Sequence, residues 1–150
     1  MSMYAANNGH PDTASALIKA GADAEARDPR GMTPLIIAVA ASRYDVVTVL
    51  LDAGAHVNAQ ASGNVTALHV AAGVGDIHMV RTLVLAGADV SLTTTDGSDA
   101  ESIVLSGPQP ASAERHAVAG LLSGLSGAPR QHQRAVEASE ADDADEEQEL

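Results

Sequence analysis

Reactive side chains are sparse in this sequence, and their spacing decides what they could do. His69 and His78 are the histidines nearest to a shared unit, yet no carboxylate or third ligand stands at a spacing that would complete a metal shell with them. Cysteine is absent, which removes thiolate metal sites, a cysteine nucleophile and a disulfide framework together. Ser123 and Ser126 lie in GLLSGLSG, which lacks the Gly-x-Ser-x-Gly spacing of a nucleophile elbow and reads as a helix end. No glycine-rich loop follows a strand-like run, so no phosphate cradle is encoded. Neither catalysis nor a cofactor is expected.

The remaining chemistry is charge. Residues 137–150 hold eight acidic side chains and no basic one, leaving twelve acids against eight bases in the rest of a chain whose net charge is −12. Such an excess argues against an extended basic surface for nucleic acid. The acidic run repels itself and has little to bury, and GLSGAPRQHQR before it has linker composition. A folded domain over 1–126 and a disordered linker and acidic tail over 127–150 are therefore expected. The tail could serve as a lure for basic proteins.

Compartment follows from absences in the composition. The longest apolar run, 35–41, is seven residues, far short of the roughly 18 of a membrane span. The opening MSMYAANNGHPD has no basic residue and no apolar stretch. These features point to an intracellular, cytoplasmic protein, with the nucleus also open to it, that does not insert into membranes and is monomeric.

The elements that must carry these residues recur at a fixed interval. Gly21, Gly54 and Gly87 are spaced by 33, and so are Ala5, Ala38 and Ala71, Leu17, Leu50 and Leu83, and the pairs Thr33/Thr66 and Leu35/Leu68. A period of this length marks a stack of small units that cannot bury their apolar faces alone. Within a unit, Thr33 is placed to cap a helix that begins at Pro34, and the residues that follow are small. Gly9, Ser42 and Gly75 form the turn to a second helix, whose Val46, Val47, Leu50 and Leu51 share one face. Gly54 stands where a left-handed terminator belongs. The units read as antiparallel helix pairs joined by β-turn segments. With two aromatic residues, no Phe and no Trp, the core must be thin and alanine-rich.

At TPLI (33–36), TALH (66–69) and the segments GADAE, GAHVN and GADVS, the chain resembles the ankyrin-repeat family. The resemblance implies an all-α solenoid of helix-turn-helix units joined by β-turn loops, with repeats at about 1–27, 28–60, 61–93 and 94–124. The first unit lacks its leading turn, which fits either a natural half-cap or a piece of a longer array. Met3, Tyr4 and Ala5 then face solvent on one side. In the fourth, Asp99-Ala100-Glu101-Ser102 replaces the Thr-Pro-Leu-His turn, and an insertion near Gly107 pushes the last helix to about 113–123.

The resemblance implies that His69 hydrogen-bonds turn backbone. It also implies a scaffold that binds a partner protein through a concave groove and the turn tips. A regulatory or targeting fragment of a larger enzyme or channel is the alternative. Arg27, Arg30, Met32, Gln60, Ser62, Val65 and Thr95 are the candidate partner-binding residues. Arg27, Arg30 and Met32 stand out, because arginine and methionine are enriched at interfaces and packing is not expected to require them.

Overall fold

In the computed structural model, which describes residues 3–107 and 113–126, eight α-helices and a single 3-10 turn at Ser62–Asn64 form the regular structure. The helices are α1 (Met3–Asn8), α2 (Pro11–Lys19), α3 (Pro34–Ala40), α4 (Tyr44–Asp52), α5 (Ala67–Val74), α6 (Ile77–Leu85), α7 (Ala100–Leu105) and α8 (Ala113–Ser126). They close in consecutive pairs. The odd-numbered helices stack in chain order as an inner layer, while α2 packs on α4 and α6 on α8 in the outer layer. The all-α solenoid expected from the repeat is the fold that forms. The expected disordered segment 127–150 lies outside the described residues.

Small residues set the inner layer. Ala5, Ala38 and Ala71 occupy one register position, and each is at most 1% exposed. A methyl group at that position lets neighbouring helix axes approach closely, toward the short end of the usual ~8–10 Å separation. Leu35 and Leu68 fill the inner helices' side of the core, and Val46, Val47 and Leu50 of α4 with Met79, Val80 and Leu83 of α6 fill the other. Leu51, expected on the same face of α4, is only half-buried. Ala5 corrects the expectation for the first unit: it is buried on α3's side of the stack, whereas Tyr4 is 70% exposed and stacks its ring on His10.

The inner helices α3, α5 and α7 start on different caps. Thr33 holds an extended backbone and its hydroxyl oxygen accepts from the Ile36 amide at 3.4 Å, ahead of Pro34 at the first helical position. Thr66 does the same for His69, and the His69 ring accepts the Thr66 amide in return, completing a reciprocal cap. Asp99 caps α7 with a 2.8 Å bond from the Ser102 amide. The Thr-to-Asp exchange that departs from the repeat pattern thus keeps the function of the position and adds charge.

The turn between paired helices depends on positive φ, which Gly9 (71°), Ser42 (55°) and Gly75 (79°) all adopt. Ser42 does so with a Cβ, at a steric cost of about 1–2 kcal/mol relative to glycine, partly offset by glycine's greater freedom in the unfolded chain. Ser42→Gly is expected to stabilise the chain by roughly 0.5–1 kcal/mol, read as a higher urea midpoint with an unchanged slope. A lower midpoint would mean that the serine makes a compensating contact.

Candidate interaction surface

The outward loops are built to one plan. The amide of Asp28 donates to the Met32 carbonyl at 3.1 Å, Ala61 to Val65 at 2.8 Å and Thr94 to Ser98 at 2.9 Å, each pair repeating at the 33-residue period. Inside each loop a tight turn closes, from the Gly31 amide to the Asp28 carbonyl, Asn64 to Ala61 and Gly97 to Thr94. Pro29 occupies the second position of the first turn, and Gly63 (φ 76°) the third position of the second. Successive tips are joined in turn. The Ser62 amide and hydroxyl both donate to the Arg30 carbonyl, at 3.0 and 2.7 Å, and the Thr95 amide donates to the Gly63 carbonyl at 2.9 Å.

Beneath the tips, the exposed side of the inner helices carries no formal charge from α1 through α5, since MYAANN, PLIIAVA and ALHVAAGV hold no Asp, Glu, Lys or Arg. Asn7, Ala40 and Gly73 are all exposed at one register position along this face. Charge enters only at the ends. Arg27, Asp28 and Arg30 stand at the tip before α3, and Asp96, Asp99 and Glu101 surround the start of α7.

Four of the seven residues singled out from the sequence meet here. Arg30, Met32, Ser62 and Val65 line one concavity of about 220 Å³, completed by Ile36, Ala61 and Val70. Gln60 and Thr95 are exposed on neighbouring stretches of the tips, outside its lining. Two expectations need correction. Arg27 is part of the scaffold, because its Nη1 donates to the Gly31 carbonyl at 3.0 Å and to the Gln60 carbonyl at 2.6 Å, tying two units together. Met32 is half-buried and packs against the core. Arg30 alone of the three projects freely, its side chain 77% exposed and loosely paired with Asp28 at 3.7 Å.

Other stitches between units escaped the sequence reading. Glu25 accepts the His56 amide at 2.8 Å, and Asn58, in the same register, accepts the Asp89 amide at 2.8 Å. The fifth residue of GADAE and GAHVN carried that signal. On the opposite edge, Arg43 Nε donates to the Asn7 carbonyl at 3.0 Å. Arg115 reaches both Gly73 and Val104 carbonyls at 3.1 Å. Both arginines place positive charge at the C-terminal end of an inner helix, where the backbone dipole favours it.

His69 is 3% exposed and has the structural role implied for it. Because its Nδ1 accepts the Thr66 amide, the ring proton sits on Nε2, which donates to the Leu92 carbonyl at 2.8 Å. His78 is exposed. Among the described residues, no group of three or more His, Asp and Glu side chains could hold a metal ion, and no helix is long and apolar enough to cross a membrane. On the outer face, a hydrogen bond from Tyr44 to Asp76, helped by partial burial, pushes the Tyr44 hydroxyl up to about 12.

Stacked helix pairs with a small-residue inner layer and laddered tips define a repeat scaffold that presents surface. The family model for ankyrin repeats matches residues 2–94 as three copies, and the chain belongs to the ankyrin-repeat family. Helices α7 and α8 extend the same pairing beyond the matched segment. A comparison with curated proteins gives no match. Ankyrin repeats are in general protein–protein interaction modules.

Two outcomes test this geometry. His69→Ala removes the partner of the Thr66 amide and the Leu92 carbonyl, and is expected to cost about 1–3 kcal/mol, with faster amide hydrogen exchange in the loop that follows Leu92. Unchanged exchange there would mean the ring does not hold that loop. The second concerns acid. Hydrogen bonds from Ser102 hold the Asp99 carboxyl below its ordinary 3.8, and Ser91 and Thr94 do the same for Asp89 and Asp96. A depressed folded value stabilises the chain above the unfolded pKa, and the contribution disappears as pH falls through the folded one. Asp99→Asn keeps a capping oxygen but cannot titrate. Its midpoint is expected to fall less than that of the parent as pH drops below about 4. Equal acid profiles would remove Asp99 from the account.

Proposed function

We propose that the chain is a non-catalytic interaction scaffold that binds a partner protein along the concave face of the inner helices and the tips above it. The observation that carries this reading is the division of labour among residues. Arg27, Glu25, Asn58 and Arg43 are engaged in holding units together, whereas the side chains of Asn7, Ala40 and Arg30 are exposed on the concave side and make no hydrogen bond to another unit. Preorganised tips lower the ordering cost of association, which favours recognition by surface complementarity. Ankyrin-repeat membership supports the same class of function.

The test compares capture from native extract by the parent chain, an Ala40→Glu variant on the concave face, and an Arg81→Ala variant on the exposed side of α6. All three are expected to retain the same thermal midpoint, as exposed substitutions usually do. Proteins retained by the parent should be depleted at least fivefold with Ala40→Glu, about 1 kcal/mol of lost binding, and recovered fully with Arg81→Ala. Equal recovery by all three variants would place the contact off the groove. Recovery lost only on deletion of residues 127–150 would assign binding to the acidic segment instead.

A further inference from the structure

The concavity between the second and third tips differs from its counterpart one repeat on. Shifting its lining by 33 residues turns Met32 into Val65, Ala61 into Thr94, Ser62 into Thr95, Val65 into Ser98 and Ile36 into His69. At the later junction those side chains are mostly polar and already engaged: His69 with Leu92, and Thr94 with Ser98 and Asp96. At the earlier junction Ile36 has no polar atom with which to reach the facing loop, and Met32, Val65 and Val70 present apolar surface around an open space. At about 220 Å³ the space lies below the roughly 300–1,000 Å³ of typical small-molecule sites. It is sized for one side chain. Ser62 and Arg30 form its polar boundary, and the Arg30 guanidinium is the charged group of the lining.

The nearby charges set the sign of what can approach. The Asp28 carboxylate accepts the Arg30 and Met32 amides at 2.9 and 2.8 Å, so it belongs to the turn and pairs with Arg30 only at 3.7 Å. Arg27, held on the Gly31 and Gln60 carbonyls, adds positive charge at the same two tips, while Gln60, Ser62, Gly63 and Asn64 across the gap carry no charge, and neither do α3 and α5 below. A carboxylate arriving beside the apolar space meets an exposed guanidinium, while an ammonium group meets it as a like charge.

We infer that this concavity is a side-chain socket for a partner segment that presents one aliphatic residue flanked by a carboxylate. The aliphatic side chain fills the space between Met32 and Val65, and the carboxylate pairs with Arg30. The inference rests on the groove reading above and specifies its anchor. A buried apolar anchor bordered by a charge pair is the arrangement in which few residues supply most of the binding energy.

Titration of the isotope-labelled full chain with three nine-residue peptides, followed by amide chemical shifts, tests it. One peptide carries Glu-Leu-Glu between Gly-Ser flanks, the second Lys-Leu-Lys and the third Glu-Ala-Glu. The first is expected to move the amides of Met32, Ser62 and Val65. Both others should bind about fivefold more weakly or worse, the scale of one exposed ion pair or one small apolar contact. Arg30→Ala, which removes an exposed side chain and leaves the carbonyl that Ser62 uses, should reduce the preference for Glu over Lys while preserving that for Leu over Ala. Equal binding of the Glu and Lys peptides to the parent chain would overturn the socket. Shifts confined to the Ala40 and Gly73 face would overturn it as well, while leaving the groove reading intact. Shifts restricted to the outer helices would count against both.

Discussion

The constraint on which the molecule depends is that no unit can satisfy itself. Two helices of six to fourteen residues bury too little apolar surface to offset the entropy of ordering them, so each pair must lean on the next. Alanine at the inner-layer contact makes the leaning close, and backbone carbonyls at the tips, loops and helix ends receive donors from the neighbouring unit. Because those donors recur at nearly the same offset, packing and hydrogen bonding enforce one register. A one-residue slip would misplace both at once.

The fastenings are not identical from joint to joint. Between the first and second pairs, Arg43 spans to Asn7; toward the fourth, Arg115 spans to Gly73. Asp76 stands in the register of Arg43 and cannot donate, so the joint between α4 and α6 has a Tyr44–Asp76 bond in its place. Caps vary likewise, through Thr33, the Thr66–His69 pair and Asp99. A position in the repeat specifies a task, and several chemistries meet it. Where the chemistry changes, so does the response to conditions: of the three described inner-helix caps, that of α7 is a carboxylate and the other two are hydroxyls.

Much of this was legible in the residue pattern, for a physical reason. Helix starts, the left-handed turns and the buried leucines are local or strictly periodic properties, so Thr33, Gly54 and Leu50 could be placed without coordinates. Arg27 was misjudged because its register position is exposed on the loop, and exposure says nothing about a 2.6 Å bond to a carbonyl 33 residues away. Arg43 and Arg115 were missed because an arginine at a helix start has no local signature of the carbonyl it will reach. The concavity beside Arg30 needs two loops and two helices at once, although the TPLI departure from TPLH marked the place where a histidine bridge would be lost. Interfaces between units carry what the linear pattern leaves out.

The spacing of the inner helices also acts as a ruler. With axes about 8–10 Å apart, four successive inner helices span ~24–30 Å from first to last. An extended chain advances about 3.3 Å per residue, so one laid along the face crosses a unit roughly every three residues. The 33-residue period of this protein is thereby translated into a three-residue period in whatever it reads. Since side chains of an extended chain alternate in direction, successive units meet opposite faces of a straight strand. A segment that addresses every unit with an equivalent residue would need the three-residue turn of a polyproline helix, whose rise of about 3.1 Å per residue matches the same spacing.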